Sequence, residues 1–196
     1  MDPKLDGLIK EGYCLFEDVL SDDLLRRLRV ASDKLLDENE TEHKDTNQGN
    51  LAFMHFQDPA FLDLITWPGA LSVLSRLGFD RPRFWSGFAI AKERGEAPLY
   101  WHQDWVFWDE PEAADRMPHQ LFFMYYLTDT QVENGCLRLI PKSHRQRFDL
   151  HEHLGKGHDS YILHSDDHRH PLFSKHSAEI DVSTKAGDLV VGDARL

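Results

Sequence analysis

The chain has 196 residues, with 34 acidic against 22 basic side chains and a formal net charge of −12. That length suits one domain with a substantial core, and 41% hydrophobic with 11% aromatic residues excludes a disordered chain. The acidic balance argues against nucleic acid and anionic membrane as partners.

No apolar run approaches the ~18–20 residues that span a bilayer. The start, MDPKLDGLIKEGY, lacks the basic and apolar segments of a secretory signal. Cys14 and Cys136 match neither a disulfide framework nor a zinc motif, so the expected compartment is the reducing cytoplasm. Twelve histidines raise metal binding as a possibility.

Residues 1–40 read as helical, broken at Gly12. GYCLFEDVL reads as a short strand or turn leading into a helix that starts at Ser21 and runs to about Glu38. Ser21 is a plausible N-cap, and Asp22 and Asp23 face the positive helix end. Leu24, Leu25, Leu28, Leu35 and Leu36 recur near the helical period. NETEHKDTNQGN, 39–50, reads as a polar loop. Asp58-Pro59 fits an N-cap followed by proline at the first helical position. Pro68 divides the next stretch into two short helices, the second ending at Gly78.

After residue 80 the texture becomes β-like. RFWSGFAIAK, PLYWHQDW, HQLFFMYYLTDT, GCLRLIPKSH and GDLVVGDARL are rich in aromatic and branched residues, with turn residues between them. Short strands in series predict a sandwich or barrel rather than a parallel sheet. Residues 149–178 are polar, carry seven histidines and read as a long solvated insertion.

Within PLYWHQDW, His102 and Asp104 are two residues apart. On a strand they share one face. An imidazole and a carboxylate so placed supply two ligands of a 2-His-1-carboxylate facial triad, which leaves positions open on Fe(II). Alone, His-x-Asp is a weak pattern. In ENGCLRLIPKSHR, Asn134-Gly135 signals a tight turn, and Ser143 and His144 are expected to hold the following turn or edge a pocket rather than bind metal.

WHQDW, the hydrophobic strand, ENGCLRLIPKSHR and the C-terminal AGDLVVGDARL, in this order, resemble the phytanoyl-CoA dioxygenase family of Fe(II)/2-oxoglutarate oxygenases. The resemblance covers about residues 85–196 and more loosely the N-terminal helices. It implies an α+β chain with a mainly β core: a double-stranded β-helix (jelly-roll, cupin-like) with N-terminal helices packed outside. The whole chain is then one oxygenase domain, with a helical part over 1–80 and a barrel part over 81–196. The implied activity is hydroxylation of a small organic substrate with Fe(II), 2-oxoglutarate and O₂, releasing succinate and CO₂. His102 and Asp104 are the implied metal ligands and catalytic residues, and Asp104 favours hydroxylation over halogenation.

The family's distal histidine falls by register just beyond Leu196, and the arginine that grips 2-oxoglutarate lies farther on. Arg195 comes too early for that role. The resemblance therefore implies a C-terminally truncated chain without its last barrel strands, inactive or nearly so. His164, His168, His170 or His176 are conceivable substitutes for the third ligand, although a solvated loop is the expected place for them.

His55 stands where the family commonly has a lysine against 2-oxoglutarate, and Phe88 and Met124 are implied to border the same cosubstrate. Core packing is the competing expectation for all three. Of Trp101, Trp105, Phe107 and Trp108, some are expected to wall the substrate site. Lys92 and Arg94 are expected in a solvated loop, within reach of an acidic substrate. The alternative function is a non-catalytic cupin-like metal- or ligand-binding module. A metallohydrolase ranks last, because no HExxH or second carboxylate cluster accompanies the motif.

Overall fold

The computed structural model describes residues 2–38, 50–54, 56, 58–92, 98–154 and 160–196. The helices form where local chemistry starts and stops them. In α1 (Pro3–Glu11) the Asp2 side chain accepts the Lys4 N–H, proline takes the first turn, and Gly12 ends the helix at φ +92°. Only a residue that tolerates positive φ fits there. In α2 (Asp22–Glu38) the Ser21 hydroxyl oxygen accepts the Leu24 N–H at 3.2 Å, as the sequence predicts. Asp58 caps α3 (Pro59–Ile65) through Ala60 N–H, Pro68 opens α4 (Pro68–Arg76), and Gly78 follows at φ +87°.

The described residues form seven strands, in chain order β1 (Tyr13–Phe16), β2 (Asn50–Phe53), β3 (Phe88–Ala91), β4 (Leu121–Tyr125), β5 (Leu137–Leu139), β6 (Ile180–Val182) and β7 (Leu189–Asp193). All their pairings are antiparallel, in three sheets ordered β1-β7-β4, β2-β3 and β5-β6. The fold is thus α+β with antiparallel sheets.

Strand β7 is the centre. All five of its residues are buried, because strand alternation sends them to two cores. Leu189 and Val191 join Leu8 of α1 and Val73 of α4 on one side. Val190 joins Leu139 and Val182 of the β5-β6 sheet on the other. Gly192 pairs with Phe122, and a Cβ on Gly192 would stand 2.0 Å from the Phe122 ring. A separate cluster packs α2 and α3 against Ala52 and Ala89 of the β2-β3 sheet.

Three expectations need correction. PLYWHQDW forms no strand: residues 98–103 run without a ladder partner, because their backbone is tied to turns instead. Asn50 opens a strand, Asn50–Phe53, rather than ending a polar loop. The 149–178 segment is not wholly solvated, since Leu150, Ile162 and Leu172 pack with Tyr100 and Ile140 in their own buried cluster. It contributes a 3-10 turn at Asp149–Glu152, the short helix α5 (Ser160–Leu163) and a second 3-10 turn at Pro171–Phe173. The Asn134-Gly135 turn is a 3-10 turn ended by Gly135 at φ +83°, and it joins strands of different sheets. Among the described residues no helix is long and apolar enough to cross a membrane.

Candidate metal centre and its cavity

Polar tethers position the segment around His102. Trp101 N–H donates to the Leu172 carbonyl at 2.8 Å and Trp105 N–H to the Ala194 carbonyl at 2.8 Å. The Trp101 indole donates to the Ser174 carbonyl at 2.9 Å. Arg138 stacks over that indole at 4.8 Å and donates to the Leu99 carbonyl at 3.3 Å. Glu179 holds Arg138 from the far side at 3.5 Å.

Between these tethers His102 and Asp104 converge. His102 Nδ1 lies 3.0 Å from the Tyr100 carbonyl oxygen. A carbonyl only accepts, so Nδ1 carries the proton and donates, and Nε2 keeps its lone pair. This Nε2 stands 3.7 Å from Asp104 Oδ1. That is long for a hydrogen bond, and it lies between the ~3.0 Å of adjacent and the ~4.2 Å of opposite donors when each is about 2.1 Å from one ion. The side chains are 24% and 37% exposed, so both are reachable. One imidazole nitrogen with its other nitrogen tied to a carbonyl, beside one carboxylate, suits Fe(II) or a similar divalent ion.

No third ligand joins them: among the described residues no group of three or more His, Cys, Asp or Glu side chains is placed to hold a metal. His176 Nε2 binds Asp149 at 3.1 Å, which holds the Asp149 carboxyl below its usual range. His170 caps the Pro171–Phe173 turn. His168 packs its ring on Phe173.

His102 lines a cavity of about 790 Å³, within the size range of small-molecule sites. Trp101, Trp105 and Trp108 line it too, together with Tyr161 and Arg145. Phe107 meets Trp105 edge-on at 5.6 Å. Gln103, 8% exposed, reaches the Arg195 carbonyl and lies 3.3 Å from His151 Nε2. Arg195 is consumed internally: its guanidinium donates to Asp193 at 2.7 Å and to the Ala113 and Asp115 carbonyls.

Phe88 and Met124 do not line this cavity. Phe88 begins β3 and meets Phe53 at 4.5 Å. Met124 lies on β4, and its sulfur accepts the Tyr126 hydroxyl at 2.9 Å. His55 and Arg94 lie outside the described residues, and Lys92 does not line the cavity.

The expected turn role of Ser143 and His144 is visible. His144 Nε2–H donates to the Ile9 carbonyl at 3.0 Å and Lys142 N–H to the Glu11 carbonyl at 3.0 Å. The turn therefore closes the C-terminal end of α1, whose last carbonyls have no partner within the helix. Burial pushes the His144 imidazole below the ordinary histidine range. Sequence reasoning missed His151, Tyr161 and Arg145 as cavity walls. Only the Arg-Gln-Arg run directly after His144 hinted at a charged rim.

The same fold occurs in solved structures of α-ketoglutarate-dependent enzymes, and this likeness defines the fold class. HygX from Streptomyces hygroscopicus, solved with nickel and 2-oxoglutarate, is 17% identical at a TM-score of 0.70, covering 100% of this chain and 78% of that one. EctD from S. alaskensis, solved with 2-oxoglutarate and 5-hydroxyectoine, is 22% identical at 0.68, covering 99% and 67%. The non-haem carbocyclase SnoK of nogalamycin biosynthesis is 20% identical at 0.65, covering 100% and 75%. No curated protein sequence matches the chain. The sequence profile of the phytanoyl-CoA dioxygenase (PhyH) family matches residues 9–196, and the chain belongs to that family.

Proposed function

We propose that this chain has the fold and part of the site of an Fe(II)/2-oxoglutarate-dependent dioxygenase that hydroxylates a small organic substrate with release of succinate and CO₂, and that with no third ligand beside the pair among the described residues it is by itself inactive or nearly so. The observation that carries the reading is the approach of His102 Nε2 to Asp104 Oδ1 at 3.7 Å, with His102 Nδ1 tied to a carbonyl. Family membership and the iron and 2-oxoglutarate held by neighbouring structures support it. The sheets then belong to a double-stranded β-helix, with α1 to α4 packed outside. When bound, iron with 2-oxoglutarate supplies the activation of O₂ that an unactivated C–H bond requires.

The chain's own residues do the rest. His102 and Asp104 would hold the ion. The Tyr100 carbonyl keeps the His102 proton on Nδ1 and so keeps Nε2 a ligand. Trp105 and Trp108 wall the cavity and exclude water beside the pair. Phe88, Met124 and His55 are the proposed cosubstrate neighbours.

A second reading, a non-catalytic cupin-like module, is favoured by one observation: no third ligand stands beside the pair among the described residues. One experiment separates the two. Anaerobic calorimetric titration with Fe(II) is expected to show one site, weakened by more than about 100-fold in His102→Ala and in Asp104→Ala, since loss of even an outer partner costs 10–100-fold. Metal binding indifferent to both substitutions overturns the site. Metal binding with no metal-dependent binding of 2-oxoglutarate decides for the module.

A further inference from the structure

We propose that the cavity beside His102 takes its primary substrate as a small organic anion, whose charge is met at the rim by Arg145. This rests on the oxygenase reading and names its substrate class. The chain as a whole is strongly acidic, with 34 acids against 22 bases, yet the cavity wall reverses that balance. Its described lining contains three arginines and one carboxylate, Asp115. That carboxylate is already occupied, 2.7 Å from His119 Nε2.

The three arginines differ in what is left of their charge. Arg195 is neutralised by Asp193 in a buried pair. Arg147 lies 3.5 Å from Glu152, both largely exposed. Arg145 donates to the Arg116 carbonyl at 3.3 Å, and among the described residues no carboxylate lies within ion-pair distance of it. A guanidinium without a counter-charge at a cavity mouth offers a planar fork suited to a carboxylate or phosphate.

A second, independent observation comes from deeper in the wall. Trp105 is 6% exposed and lines the cavity, and its indole N–H meets no acceptor among the described residues. A buried donor without an acceptor costs free energy until something supplies one. Arg145 asks for acceptor oxygens, while Trp105, Trp108 and Tyr161 supply aromatic wall for the body of the ligand.

The test uses metal-free protein, so that it stands apart from the metal titration. Benzoate and its neutral analogue benzamide are titrated at fixed ionic strength, read by the fluorescence of the tryptophans that line the cavity. Benzoate is expected to bind at least about tenfold more tightly, the usual size of one charge-assisted hydrogen bond. Arg145→Gln is expected to remove that preference and leave benzamide unchanged, while Arg145→Lys keeps most of it. Arg145 is exposed, so the variants are expected to fold, which circular dichroism checks.

Equal affinity for the two probes, or a preference untouched by Arg145→Gln, overturns the proposal. So does competitive displacement of benzoate by 2-oxoglutarate, which would make the cavity the cosubstrate site. Anion selectivity alongside a failed metal titration sinks the oxygenase reading and leaves the anion site standing.

Discussion

The central sheet and the metal-pair segment are built on opposite principles. Strand β7 has a ladder partner on each side and two apolar cores, and Leu189, Val190 and Val191 are each 0% exposed. Residues 98–103 have no ladder at all. Four contacts to carbonyl oxygens, those of Leu172, Ser174, Ala194 and Arg195, set the path of Trp101, Gln103 and Trp105. Apolar burial is non-directional and scales with area, whereas a hydrogen bond fixes a direction and adds little net stability. The sheet therefore holds the fold together, and the tethers aim the pair. Stability and site geometry should be separable by substitution.

The largest expected effect tests the first half of that statement. Leu189→Ala leaves a cavity between β7 and the helices α1 and α4, and such truncations cost about 2–5 kcal/mol. Urea unfolding is expected to report that loss, while metal affinity under native conditions stays near wild type. A parallel fall in metal affinity would show that the two regions are not separable.

Arg138→Met tests the second half. It removes the guanidinium that stacks on Trp101 and holds Leu99, one residue beyond the metal pair's own contacts. Glu179 keeps the His176 N–H at 2.8 Å, so it is not left bare. The expected result is a loss of roughly tenfold in Fe(II) affinity, as for other outer partners of a metal site. The unfolding midpoint should move less than in Leu189→Ala. A large stability loss with unchanged metal affinity would assign Arg138 to the fold instead.

The same contrast explains what the sequence revealed. Helix caps at Ser21 and Asp58 are local chemistry, legible from a few neighbouring residues, and so is the apolar run of β7. The two-residue spacing of His102 and Asp104 was legible as well, although the strand expected to carry it is absent. The hydrogen bonds of Trp101, Gln103 and Trp105 bring the two side chains together without a ladder. Strands β2 and β6 were not legible. They are four and three residues long, too short for a two-residue period to stand out from the surrounding loop. The cavity was the least legible part. Its walls come from around Trp101, Arg145 and Tyr161, which only the tertiary fold brings together.

The turn after β5 touches both regions, and a pH measurement probes it. Burial holds the His144 pKa below its ordinary 6.5, reinforced by Arg195 and Arg145 and opposed by the Ile9 carbonyl and Asp193. Below about pH 6.5 the unfolded chain takes up a proton that the folded imidazole refuses. Stability contributed by neutral His144 is therefore present above that pH and is lost as pH falls toward the depressed folded value. Other histidines titrate in the same window, so the readout is a difference: His144→Gln should show a shallower decline in urea stability between pH 7 and 5 than wild type. Identical slopes would mean that His144 is not held neutral by its site.

The smallest expected effect lies two residues earlier and has the opposite sign. Lys142 adopts φ +73°, a left-handed conformation that costs a residue with a Cβ roughly 1–2 kcal/mol. Its backbone N–H must point at the Glu11 carbonyl, 3.0 Å away, so the strain is the cost of closing α1 with this turn. Lys142→Gly removes the Cβ clash and keeps the N–H. It gives up an exposed pair with Glu11 at 3.7 Å, which is worth little, and adds freedom to the unfolded chain, which offsets about 0.4–1 kcal/mol. The net expectation is a gain of about 0.5–1 kcal/mol in urea unfolding. Because Lys142 sits where the packed helix end meets the cavity rim, the benzoate affinity of the variant should stay unchanged. Destabilisation by Lys142→Gly would mean that the lysine side chain, not the backbone turn, is what joins the two regions.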